Sequence, residues 1–118
     1  MADQNEIVAK SKLFALRIIR LCQFLQAEKR EFVLSKQLLR SGTSIGANVR
    51  EALRAQSRAD FYTKLTISLK EAEESSYWLE LLHESGILSD AEIDSIYGDC
   101  AELIRLLVAI TKTLKEKE

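Results

Sequence analysis

The chain has 118 residues, enough for one hydrophobic core and too few for two domains. Hydrophobic residues make up 47% and charged residues 30%, proline is absent and glycine occurs four times, a balance that favours helix throughout. With 17 basic against 18 acidic side chains the net charge is −1, which excludes a strong overall attraction for phosphate and leaves any nucleic-acid binding to a local patch.

Cys22 and Cys100 are far apart in sequence, and each interrupts no apolar helical pattern. Without a CxxC spacing and with one histidine in the chain, they read as buried free thiols in a reducing cytosol, not as a metal site. The N-terminal MADQNEIVAK lacks a basic stretch followed by an apolar run, and no apolar segment approaches the roughly twenty residues that cross a bilayer. The expectation is a cytoplasmic protein with no membrane partner.

From about residue 5 to 27, Ile7, Ser11, Phe14, Ile18, Leu21 and Leu25 recur at spacings of four and three and predict one helix. The charged Glu28-Lys29-Arg30-Glu31 reads as a turn, and Ser35 as the cap of a second helix over about 36–56. That helix would bury Leu38, Gly42, Ile45, Val49 and Ala52, a narrow seam of small residues onto which the third helix can pack closely. Ser41-Gly42-Thr43-Ser44 also has the form of punctuation, and a helix that begins only after it is the competing reading.

Ser57-Arg58-Ala59-Asp60 resembles a capping box and opens a third helix over about 58–84, with Phe61, Leu65, Ser68, Ala72, Ser75, Leu79 and Leu82 inward. Gly86 supplies a left-handed end, and Ser89-Asp90-Ala91-Glu92 is a full capping box for a fourth helix over about 90–115. Its stripe is Ile93, Tyr97, Cys100, Ile104, Leu107 and Leu114, and the terminal KEKE is expected to fray. Four helices with short connections predict a single all-α domain over residues 1–118, an antiparallel up-down-up-down four-helix bundle.

The apolar surface exceeds what such a bundle needs. Ile96, Leu103, Leu106 and Ile110 flank the fourth stripe, Ile67, Tyr77, Trp78 and Leu81 lie off the third, and Leu13 and Phe24 off the first. These residues are read as a subunit interface of a homo-oligomer.

The search for chemistry finds no catalytic, metal or cofactor motif. His83 stands near a helix C-terminus beside Glu84, where the dipole favours a cation. The acidic Glu71, Glu73, Glu74 and Glu80 lack the Glu-x-x-His pairs of a di-iron bundle, and GTSIG has no lysine to serve as a phosphate loop. Arg40, Ser44, Asn48 and Glu51 recur along the second helix, and Lys70, Glu71 and Glu74 lie on the third; if those helices pack closely, opposite charges meet and fix register, with Arg40 expected to pair with a carboxylate of the third helix. Arg50, Arg54 and Arg58 form a separate column. It reads first as a solvated face, and in an oligomer as a replicated contact for RNA or DNA.

The runs VLSKQLLRSGTSIGANVREA, SRADFYTKLTISLKEAEESSYWLELLHESGIL and ELIRLLVAITKTLK resemble the bacterial four helix bundle protein family, which includes proteins encoded in intervening sequences of large-subunit rRNA genes. The resemblance covers nearly the whole chain. It implies a four-helix bundle, a homopentameric barrel and no enzymatic activity. The accessory proteins of diversity-generating retroelements are similar in fold, and there a strongly basic pentamer engages nucleic acid and a reverse transcriptase; this chain is near neutral.

Overall fold

The computed structural model describes residues 2–116, with side chains from Asn5 onward. Four helices follow one another: α1 (Ala2–Glu28), α2 (Leu34–Ala52), α3 (Arg58–Glu84) and α4 (Asp90–Glu116). Each packs on its chain neighbours, and α4 closes the ring on α1. Among the described residues the diagonal pairs α1–α3 and α2–α4 have no Cα atoms within 8 Å of each other. This is the antiparallel up-down-up-down arrangement that short connections impose on four amphipathic helices. α4 runs through Glu116; Lys117 and Glu118 of the terminal KEKE lie outside the described residues.

The helix ends are set by local chemistry. At the end of α1, Arg30 takes a left-handed φ of 54° and the Glu31 N–H donates to the Leu25 carbonyl at 2.9 Å. The Glu31 carboxylate then accepts the backbone N–H groups of Val33, Leu34 and Ser35 at 3.1, 3.0 and 2.7 Å. Glu31, not Ser35, therefore caps α2, because a longer side chain one turn back covers three orphan donors at once. Ser35 sits inside the helix and donates to the Glu31 carbonyl at 2.9 Å.

α2 runs unbroken through Ser41-Gly42-Thr43-Ser44 and stops at Ala52, four residues before the expected 56. Tight bonds from Arg54 N–H to Glu51 O and from Ala55 N–H to Ala52 O, both 3.0 Å, end it there and leave room for Ser57 to adopt the extended cap conformation of α3. Ser57 Oγ accepts the Asp60 N–H at 3.0 Å, whereas the Asp60 carboxylate reaches back to the Gln56 N–H at 3.3 Å. The box at α4 is reciprocal: Ser89 Oγ accepts from Glu92 N–H at 3.2 Å, and Glu92 Oε1 accepts from Ser89 N–H at 2.9 Å. Gly86 ends α3 at φ +84°, a conformation that a side chain would strain.

The core is one cluster built on Phe14, Ile18, Leu38, Ile45, Leu79 and Leu107. It differs from the predicted stripes at three places, one of them Phe61 of α3, which is only half-buried. In α1 the buried residue is Cys22, with Leu21 half-buried; in α4 Ile96, Leu103 and Thr111 are buried, while Tyr97 is exposed and Ile104 and Leu114 half-buried. The apolar arc of α4 is wide enough to be buried in more than one rotation, and the helix turns the Ile96–Leu103 edge inward, toward α1.

The small seam of α2 also faces differently from expectation. A Cβ at Gly42 would lie 2.9 Å from Ile18 Cγ1 and Cγ2, and one at Gly46 would lie 3.4 Å from Ser11 Oγ. The glycines thus bring α1, not α3, close to α2. Ile18 is fully buried and cannot yield. Gly42→Ala is accordingly expected to lower stability by roughly 1–3 kcal/mol through overpacking, despite alanine's better helix propensity. Gly98→Ala, with nothing within 4 Å of the new methyl group, should raise it by about 0.5–1 kcal/mol. Urea unfolding of the two variants measures both signs, and Ile18→Ala, which removes both clashing Cγ atoms, should make Gly42→Ala less costly in a double-mutant cycle than it is beside Ile18.

Candidate functional site

The α2–α3 seam is built from serines. Ser41 Oγ and Ser75 Oγ are 2.8 Å apart, and Ser68 Oγ donates to the Ile45 carbonyl at 2.8 Å, so a hydroxyl of α3 bonds directly to the backbone of α2. Such bonds require the backbones to approach closely, and a buried hydroxyl without a partner would be costly. On the rim, Arg40 Nη1 donates to Glu71 Oε2 at 3.2 Å and Nη2 to Glu74. Arg40 remains 51% exposed, so the pairs contribute register more than stability. Ser44 and Asn48 do not join them. Ser44 Oγ donates to Arg40 O at 2.6 Å and Asn48 Nδ2 to Ser44 O at 2.9 Å, both within α2. Glu51 pairs instead with Lys64, 3.0 Å away. The polar set is therefore a packing device divided among three local tasks.

The arginine column does not exist as one face. α2 ends at Ala52, so Arg50 lies on α2, Arg54 in the turn and Arg58 at the first position of α3. Arg58 Nη2 donates to the Leu114 carbonyl at 3.3 Å, satisfying an acceptor near the end of α4. Arg50 and Arg54 stay exposed and line a shallow cleft of about 580 Å³ with Glu51, Leu53, Gln56, Asp60 and Lys64. Two carboxylates share that cleft, so its field is mixed.

Closure of the ring rests on a ladder of charges that periodicity alone did not reveal. Lys10 pairs with Glu102, Arg17 with Asp99 at 2.5 Å, and Lys29 with Glu92 at 3.8 Å, the cations coming from α1 and, for Lys29, from the residue just past its end, and every anion from α4. The numbers descend on α4 as they rise on α1, the signature of antiparallel helices. A reader pairing the two helices in that sense could have found it from the sequence. The hydrogen bond from Lys10 holds the Glu102 carboxyl below its ordinary value, and the same bond raises Lys10 above its own. Glu92 is lowered chiefly by the backbone N–H of Ser89.

The interface candidates divide by burial. Ile96 and Leu103 are 3% and 1% exposed and belong to the core, so they are withdrawn from the surface set. Trp78, Leu106 and Ile110 pack half-buried against the core, and Leu81 is half-buried. Ile67 and Tyr77 are exposed, Tyr77 at 52% with its ring 5.3 Å from that of Trp78. Exposed Leu16 and Ile19, missed in the sequence, join Leu13, which is 61% exposed; their three-residue spacing on α1 was the signal.

Two thiols and one histidine remain among the side chains that could react. Cys22 Sγ donates to Ser35 O at 3.2 Å and Cys100 Sγ to Ala72 O at 3.3 Å, and burial pushes the thiols up to about 11 and about 12, so neither is a nucleophile at neutral pH. His83 Nε2 lies 2.5 Å from Asp90 Oδ1 at the edge of a groove of about 330 Å³ with Glu80, Glu84, Asp94 and Tyr97. No group of three or more His, Cys, Asp or Glu side chains able to hold a metal occurs among the described residues, and no described helix is long and apolar enough to cross a membrane.

The ladder sets a pH window. Glu102 and Glu92 have lowered folded values, so their contribution is complete above the ordinary glutamate range and is lost as pH falls through the lowered values; Lys10, raised, contributes fully below the ordinary lysine range and loses this as pH rises through its own. Hydrogen-exchange protection at the α1–α4 seam, taken relative to the intrinsic exchange rate at each pH, should therefore fall at both acid and alkaline extremes and be greatest between. Glu102→Gln should flatten much of the acid limb, leaving the part due to Glu92.

The profile of the 23S rRNA-intervening sequence proteins matches residues 3–109. A crystal structure of a protein of unknown function from the S23 ribosomal protein family of Bacteroides thetaiotaomicron is similar at 54% sequence identity, with a TM-score of 0.91, over 93% of this chain and 98% of that one. No curated protein matches the chain. With the profile spanning all four helices and the bundle reproduced by that relative, the chain belongs to the 23S rRNA-intervening sequence protein family.

Proposed function

We propose that this chain is a non-enzymatic interaction protein of the cytoplasm that works as a homo-oligomer, a closed ring for which the family resemblance implies five copies. The observation that carries the reading is the apolar surface left over after the bundle is complete: Leu13, Leu16 and Ile19 on α1, and Ile67 and Tyr77 on α3, are exposed although the core cluster is already closed. α1 and α3 are the diagonal pair of the bundle, so the two strips lie at opposite corners. Two unlike patches favour head-to-tail contacts over a twofold dimer, and such contacts make a ring when the rotation between neighbouring copies closes. Multi-angle light scattering at micromolar concentration is expected to give several times the mass of one chain, and a monomer at that concentration overturns the reading.

A second reading, a nucleic-acid accessory factor, draws on one feature, the exposed Arg50 and Arg54 at the mouth of the cleft between α2 and α3. Ring formation would multiply this pair around the axis. Structured RNA should then bind with steep salt dependence, and Arg50→Glu with Arg54→Glu should abolish it. Failure to bind at low salt removes this reading and leaves the first intact.

A further inference from the structure

The near-zero net charge conceals a segregation. From Glu71 to Ile104 there are ten carboxylates and no lysine or arginine, whereas α1 between Ile7 and Ala27 has four bases, Lys10, Lys12, Arg17 and Arg20, and no acid. The ion pairs described above engage the charges on the helix flanks. Lys12 and Arg20 on α1 and Glu73, Glu80 and Glu84 on α3 are exposed and take part in no ion pair among the described residues.

At 100° per residue the buried stripe of α1 centres opposite Leu13, Leu16 and Arg20, and that of α3 opposite Lys70, Tyr77 and Glu84, with Ile67 and Glu73 beside them. The outer face of α1 is thus apolar and cationic. The outer face of α3 is apolar and, Lys70 apart, anionic. We infer that these two faces are the complementary halves of a single contact, in which α1 of one copy packs against α3 of a second copy of this chain, Arg20 lying between Glu73 and Glu80. This rests on the oligomeric reading above and names the surfaces and the register that it leaves open.

The levels of the residues agree. Ile18 of α1 lies against Gly42, and the adjacent Ser41 meets Ser75 of α3, so Ile18 stands at the height of about Ser75. In a ring whose axis runs along the helices, neighbouring copies are related without a rise, and α1 lies parallel to the next copy's α3 at equal height. Arg20 then falls between Glu73 and Glu80, and Leu13 to Ile19 falls within the span from Ile67 to Tyr77. The side of the bundle, about 47 by 20 Å, is large enough for the roughly 800 Å² per partner of a stable interface. Opposite charges beside an apolar strip fix orientation and reject the like-on-like pairing of α1 with α1.

The test uses charge reversal in the full chain, with helical circular dichroism as a folding control. K12E/R20E makes both faces acidic and E73K/E80K makes both basic, so each alone is expected to fall toward the monomer mass in light scattering, with Kd weakened by roughly tenfold or more. Mixed, the two should associate again, because every contact in an alternating assembly pairs opposite signs. An odd-membered ring cannot alternate, so if the native ring has five members the mixture must give an even-membered or open assembly. Should a double variant fail to fold, Arg20→Glu and Glu73→Lys carry the same prediction. Variants that keep the native mass overturn the assignment of faces and leave the oligomer standing. A native chain that is itself monomeric overturns both.

Discussion

The architecture depends on how closely α2 approaches two neighbours at once. Gly42 admits the side chain of Ile18 from α1, while Ser41, one residue earlier, meets Ser75 of α3 through a hydroxyl pair. A helix can serve two partners in this way because residues one apart point about 100° away from each other, so glycine and serine in sequence serve adjacent sides. The glycines carry a conformational cost, and the close α1–α2 contact they permit, with Ile18 buried against backbone, is what offsets it. Once those two seams fix α1, α2 and α3, α4 has little freedom left.

α4 closes the bundle by a different mechanism. It buries Cys100, Leu103 and Leu107 in the common core, but on the α1 side it relies on Lys10, Arg17 and Lys29 reaching Glu102, Asp99 and Glu92. These pairs are half-exposed and individually weak, yet as a ladder with its cations on or just past α1 and its anions on α4 they set the register between the first and last elements. The seam is therefore the one most responsive to salt and pH. The α2–α3 seam carries ion pairs on its rim at Arg40 and Lys64, but its buried serine hydroxyls are uncharged and do not share that response.

With the internal charges consumed at the flanks, the charges that remain outside are sorted by face. The bundle is nearly neutral as a whole and strongly polar across its section, a state that net charge cannot report. This sorting, together with the apolar strips on α1 and α3, gives the surface a direction. An assembly made from such subunits would hold its members in one orientation.

Four amphipathic periods and the capping signals at Ser57, Gly86 and Ser89 were enough for the sequence to determine the number of helices, their order and their antiparallel packing, because each of these is encoded within a few residues of where it acts. The unbroken helix through Ser41-Gly42-Thr43-Ser44 was legible for the same reason, its three-four rhythm outweighing the local turn propensity. What only the tertiary structure decided was rotation and partnership. Ile96 and Leu103 looked like surplus surface until α4 turned them into the core; Gly42 and Gly46 could have faced either neighbour; and Arg50, Arg54 and Arg58 formed a column only on a helix that Ala52 in fact ends. A side chain's spacing along one helix fixes its angle about that helix alone, and the identity of what lies at that angle depends on contacts with residues far away in the chain.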